Sequence, residues 1–193
     1  AGVAQGCIID TEEGDWYGFL FQDRGAVGRV PVLMPCRWED GWPMLGDAEG
    51  KVPLVMDVPI AGGKSSPLVI SDDFESSKLA LNWQWNHNPN NELWSLTERE
   101  GYLRLKTGKV VQSIFEAQNM ISQRTEGPAC SGVVSFDVSQ MNEGDVAGLS
   151  AYCSDPGIIS VIVEDGKKHL VMKDRDTEKE RVELAQDLVY LRL

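Results

Sequence analysis

From Trp16 to Phe21 the chain reads Trp-Tyr-Gly-Phe-Leu-Phe, which places apolar groups on both faces of an extended backbone. The pattern predicts a strand buried on two sides. Ile8-Ile9 upstream and the turn-forming Glu12-Glu13-Gly14-Asp15 make it the second arm of a hairpin. Val30-Pro31-Val32-Leu33-Met34 is again apolar on both faces, with Pro31 favouring an edge or irregular position. Strands of this kind suit sheets stacked face to face, as in the blades of a propeller.

After Val52 the pattern fades. Pro53, Pro59, Gly62, Gly63, Ser65, Ser66 and Pro67 cluster in a stretch with little periodicity, so residues 53–69 are expected to be a linker. Beyond it, Tyr102-Leu103-Arg104-Leu105-Lys106 and Val134-Ser135-Phe136-Asp137-Val138 alternate, with one face for a core and one for water. Turn signals recur at Asn88-Pro89, Gly101, Gly108, Gly127-Pro128, Gly144, Pro156-Gly157 and Asp165-Gly166, as in an all-β domain of short strands. Val182, Ala185, Leu188 and Val189 fit a helical stripe, while Val182 and Leu184 fit strand alternation; the segment is read as strand. The charged run Asp174 to Arg181 is expected to be a solvated turn.

Composition narrows the classes. The 193 residues are 42% hydrophobic and 25% charged, enough apolar content for a packed core in one large or two small domains. Lys and Arg number 18 against 30 Asp and Glu, and the net charge of −12 repels phosphate backbones and anionic lipid. Neither nucleic acid nor a membrane is an expected partner, and apolar runs such as Ile158 to Val163 are too short to span a bilayer. Cys7, Cys36, Cys130 and Cys153 form no C-x-x-C pair, so zinc is not expected. Cys130 and Cys153 are open to pairing in an oxidising compartment, against the plainer reading of buried free thiols. Ala1 to Cys7 has no signal-peptide character, and Leu188 to Leu193 reads as a strand without a closing turn, so the chain is expected to be a piece of a longer protein.

Candidate chemistry is sparse. His87 and His169 sit in no spacing that pairs them with a nucleophile or a second metal ligand, and His169 reads as a solvent-facing strand residue. Asp72 and Asp73 are neighbours that point apart on an extended chain; they more plainly begin a strand than serve as acid and base. Glu12, Glu13, Glu39 and Asp40 flank turns, and no catalytic residue is assigned. Gly25-Ala26-Val27-Gly28-Arg29 lacks the ending of a phosphate-binding loop. Arg29 follows glycines, so its guanidinium either projects from a tight turn as a multiple donor or pairs with a structural Asp. Trp16, Trp38, Trp42, Trp83, Trp85 and Trp94 suit a core or the C–H faces of sugars, and Trp83 and Trp85 would share one strand face. Asn86-His87-Asn88-Pro89-Asn90-Asn91 reads as a turn or as a sugar-contacting loop.

Several longer strings carry a resemblance. Gln5-Gly6-Cys7-Ile8-Ile9-Asp10-Thr11, Trp16-Tyr17, Phe21-Gln22-Asp23, Gly25-Ala26-Val27-Gly28-Arg29 and Trp38-Glu39-Asp40-Gly41-Trp42-Pro43 resemble the last propeller blade of glycoside hydrolase family 43. Asp72-Asp73-Phe74, Trp83-Gln84-Trp85-Asn86-His87-Asn88-Pro89, Trp94-Ser95-Leu96-Thr97-Glu98-Arg99 and Gln123-Arg124-Thr125-Glu126-Gly127-Pro128 resemble the concanavalin A-like sandwich that follows it. The resemblance implies an all-β chain: residues 1–52 ending a five-bladed β-propeller, 53–69 linking, and 70–193 forming a partial concanavalin A-like β-sandwich.

It also implies β-xylosidase or α-L-arabinofuranosidase activity with inversion, an Asp base activating water and a Glu acid protonating the leaving oxygen. Those carboxylates belong to earlier blades in the family, so this chain alone is expected to be inactive. Arg29 matches the family arginine that reaches the sugar in the cleavage subsite, a binding and orienting role. The family often has His at the position of Ala4, near a central ion; with Ala4 no cofactor is expected to be required, and a calcium ion in the propeller is disfavoured. Cys7 stands where the family usually has Gly, so altered activity of the whole protein is a further expectation. The partner implied is a xylo- or arabino-oligosaccharide. The rival expectation is a noncatalytic carbohydrate-binding or structural β-sandwich protein.

Overall fold

A computed structural model describes residues 2–60, 62–64, 66–127 and 129–193. Strands dominate, and the chain divides into two compact units, one ending at Ile70 and one beginning at Ser71. Among the described residues no helix is long and apolar enough to cross a membrane.

The first unit is an antiparallel four-stranded sheet in the order β1 (Val3–Asp10), β2 (Trp16–Asp23), β3 (Arg29–Glu39) and β4 (Trp42–Leu45). Thr11 to Asp15 closes the first hairpin, where the sequence places the turn. A bulge between Ala4 and Gly6 puts Gln5 at φ 43°. A Cβ on Gly6 would lie 2.1 Å from the Phe19 carbonyl oxygen, so only glycine fits there. Gly18 does similar work on the sheet face: a Cβ would meet Leu45 at 2.9 Å and Met34 at 3.2 Å. Its absence lets Met34, 2% exposed, pack down with the buried Cys36. Pro31 lies where β3 pairs only with β2, because β4 covers no more than Cys36 to Glu39. One expectation fails: β2 is not buried on both faces, since Phe19 is 44% exposed.

Residues 53–69 hold no helix or strand among those described, and Ala61 and Ser65 lie outside the described residues. Asp72 and Asp73 do not begin a strand. Asp72 Oδ1 accepts the Phe74 N–H at 2.9 Å and its Oδ2 accepts the Trp83 indole N–H at 2.8 Å, which fastens a turn with Phe74 at φ 56°.

In the second unit, β5 (Gln84–Trp85) pairs with β8 (Ile121–Ser122), and β6 (Trp94–Ser95) pairs with β7 (Arg104–Leu105). The alternation at Tyr102 to Lys106 thus yields only a two-residue strand. The expected Gly127-Pro128 turn includes Pro128, outside the described residues. The larger elements are β9 (Val133–Asp137), β10 (Val146–Ala151), β11 (Gly157–Glu164), β12 (Lys167–Asp174), β13 (Thr177–Leu184) and β14 (Leu188–Arg192). β10 to β13 form an antiparallel sheet in chain order, and β14 pairs with β9 in a second sheet. The core lies between the two: Val161, Val138, Val189 and Leu191 are buried, with Phe136, Leu149, Ile159, Leu170 and Leu184 packed against them. Gly148 lets β10 approach β11, as a Cβ there would lie 2.2 Å from the Ile159 carbonyl oxygen.

The charged run is mostly strand rather than turn. Only Arg175 and Asp176 turn the chain, and Thr177–Leu184 pairs along β12. As an edge strand β13 keeps its charges in water and pairs them: Arg181 with Glu164 at 2.7 Å and Glu178 at 2.9 Å, and Lys167 with Glu183 at 2.8 Å. Val182 belongs to this strand, not to a helix.

Candidate functional site

Arg29 opens β3 directly after a tight turn. Gly25 (φ 64°) and Gly28 (φ 90°, ψ −153°) bracket a single 3-10 turn whose backbone only glycine adopts readily at Gly28. Asp23 Oδ1 accepts the Gly25 N–H at 2.9 Å, and the Arg24 N–H donates to the Gly28 carbonyl at 2.9 Å, which closes the loop on itself. The register sets Arg29 opposite Asp23 and two pairs from Phe21–Pro31, on the same face. There the guanidinium carbon sits 4.7 Å from the centre of the Phe21 ring.

Of the two readings open for Arg29, the structure carries the free donor: among the described residues it enters no ion pair and is exposed. A guanidinium resting on an aromatic face with its N–H groups unspent can bind vicinal hydroxyls or a carboxylate. Among the described residues no three His, Cys, Asp or Glu side chains come together to hold a metal ion.

The Trp83–Asn91 segment is arranged differently. Trp83 and Trp85 do not serve one face in common: Trp83 packs on Phe74 (5.7 Å between ring centres) and Trp85 on Trp94 (5.3 Å). The Trp94 indole N–H donates to Asn91 Oδ1 at 3.0 Å, and Asn90 Oδ1 accepts the Glu92 N–H at 3.0 Å. Asn86 Nδ2 donates to the carbonyls of Phe115 (3.2 Å) and Ala117 (2.9 Å), and its Oδ1 accepts the Tyr152 hydroxyl at 2.8 Å. His87 Nε2 lies 2.7 Å from the Phe115 carbonyl; a carbonyl only accepts, so this nitrogen carries the proton. Asn86 and His87 fasten the 3-10 turn Ile114–Glu116, while Asn90 and Asn91 bond within their own turn.

Sequence reasoning missed the product of this fastening, an exposed ring pair of Phe115 and Tyr152 at 5.4 Å, because the two rings are far apart in the chain and no periodicity links them. His169 is also not simply solvent-facing: it is half-buried on β12, and its Nδ1 is buried without a partner among the described residues. The thiols are all free, but Cys7 and Cys130 are exposed and only Cys36 is buried.

Charge is organised by Arg99. It stacks over Tyr102, 3.8 Å from the ring centre, and pairs with Asp137 at the end of β9. Hydrogen bonds from Ser139 and then from Arg99 hold the Asp137 carboxyl well below the usual carboxylate range. This ion pair ties an irregular segment to the core sheet and is structural.

Residues 71–193 match the family described as the β-xylosidase C-terminal concanavalin A-like domain. A β-xylosidase of Formosa agariphila is 34% identical over 92% of the chain, which spans 35% of that relative. A non-reducing end α-L-arabinofuranosidase of Bacteroides ovatus is 26% identical over 91% of the chain, which spans 34% of it. Among solved structures, a bifunctional GH43-CE protein of Bacteroides eggerthii superposes with a TM-score of 0.88 at 49% identity, covering 99% of the chain and 26% of that protein.

Proposed function

Because the chain belongs to the family of the β-xylosidase C-terminal concanavalin A-like domain, we propose that it is the C-terminal part of an inverting glycoside hydrolase that acts on xylan-derived or arabinose-containing saccharides. The observation that carries this is likeness along nearly the whole chain, first unit included, to one protein of glycoside hydrolase family 43. The first unit then ends the propeller, and the second is the concanavalin A-like domain.

Arg29 contributes binding and orientation in the sugar pocket. Its exposed guanidinium, held on Phe21 by a turn that only glycine builds, supports that role. The acid and base lie in other blades of the whole protein, and no cofactor is required. The 193 residues alone turn over nothing.

The test is hydrolysis of aryl β-xyloside and aryl α-L-arabinofuranoside by the whole protein, with the first-formed anomer followed by proton NMR. The inverted sugar is expected from the whole protein and no turnover from the 193-residue chain. Turnover by the chain alone, or a retained anomer, contradicts the reading.

A further inference from the structure

Asp23 and Arg29 are direct cross-strand partners of opposite charge, with their side chains on one face of the sheet. Side chains placed this way start about 5 Å apart, and an ion pair is the ordinary outcome. Among the described residues Arg29 nevertheless enters none. The Asp23 carboxylate turns to accept the Gly25 N–H at 2.9 Å, and the guanidinium reaches past Asp23 to its diagonal neighbour, with Cζ 4.7 Å from the centre of the Phe21 ring. A diagonal separation of about 7–8 Å is within the span of an arginine and an aromatic ring.

The choice of partner decides what Arg29 has left to give. A carboxylate would take guanidinium N–H donors, often as a bidentate pair, and offset the charge. An aromatic ring attracts the cation through its quadrupole without spending those donors as a carboxylate does, so they stay available to the hydroxyls of a ligand. At a surface the two attractions are of similar strength, so removing the ring hands the guanidinium to Asp23.

We propose that Phe21 is a positioning residue for sugar binding: its ring keeps the Arg29 guanidinium out of an ion pair with Asp23 and holds it open for the ligand. The proposal rests on the reading of Arg29 as a sugar-binding group. Without the ring, the open guanidinium is only a fraction of the population, and apparent affinity falls by that fraction while the saturated complex is unaffected. The cost therefore appears in KM.

Steady-state hydrolysis by the whole protein tests this, on whichever of aryl β-xyloside and aryl α-L-arabinofuranoside it turns over. Phe21→Leu is expected to raise KM about fivefold with kcat within about twofold of wild type, and Phe21→Tyr, which keeps a ring face, to restore the wild-type KM. Made in an Asp23→Asn background, Phe21→Leu should raise KM by less than about twofold, because Asn keeps the oxygen that accepts the Gly25 N–H and has no charge to capture Arg29. A purely architectural role for Phe21 gives the same loss in both backgrounds. That result overturns the proposal, as does an unchanged KM in Phe21→Leu. Phe21→Met carries the same expectations where Phe21→Leu does not fold. Arg29→Ala measured alongside separates the two claims: unaltered kcat/KM in Arg29→Ala removes the sugar-binding reading and the proposal with it, whereas a loss there with Phe21→Leu unaffected removes the proposal alone.

Discussion

Two polar, turn-rich segments look alike in the sequence and differ in what they leave free. The turn from Asp23 to Arg29 satisfies itself with short-range bonds and presents the Arg29 guanidinium outward on Phe21. The segment from Trp83 to Asn91 has far more donors and acceptors, but Asn86, His87, Asn90 and Asn91 spend them on partners within the second unit. Density of polar groups is therefore a poor guide to binding. A group is available to a ligand when the backbone around it needs nothing from its side chain.

The largest effect expected from breaking this contrast is at Asn86. Asn86→Ala strands the Phe115 and Ala117 carbonyls and the Tyr152 hydroxyl together, a loss of about 3 kcal/mol of stability in urea unfolding of the whole protein. Arg29→Ala should do the reverse: a stability change within about 0.5 kcal/mol, but kcat/KM lower by about 2 kcal/mol, on the order of thirtyfold, from lost charge-assisted hydrogen bonds. Gly28→Ala sharpens the comparison, since its φ of 90° with ψ of −153° is a glycine conformation. It should cost about 1–3 kcal/mol of strain and displace Arg29, so both unfolding and kcat/KM respond.

The smallest effect is electrostatic. Asp137 has a folded-state pKa below its unfolded value, so its contribution is fully present above the ordinary carboxylate range and fades as pH falls below about 4. Asp137→Asn should therefore flatten the acid limb of the melting-temperature profile and lower stability at neutral pH.

Much of the fold was legible in the sequence because local chemistry dictated it. The first hairpin follows from apolar runs on either side of Glu12-Glu13-Gly14-Asp15, and Pro31 marks where β3 has a single neighbour. The charged first part of β13, Thr177 to Arg181, was not legible, because its charges belong to an edge strand whose partners include Glu164 on another strand. Asp72 misled for a related reason: its role depends on the Trp83 indole, eleven residues away. The two-sided burial expected of β2 is not met among the described residues, where Phe19 is exposed. The tight turn before Arg29 could be read from its glycines, whereas the use of Asn86 and His87 as fastenings depended on the distant turn Ile114–Glu116.

Titration of xylo-oligosaccharide into the whole protein and its Arg29→Ala and Trp85→Ala variants tests the central claim most directly. The account predicts affinity lost with Arg29→Ala and kept with Trp85→Ala, whose ring packs on Trp94. Affinity kept with Arg29→Ala and lost with Trp85→Ala, in a variant that still unfolds cooperatively, would contradict it and place carbohydrate recognition in the sandwich.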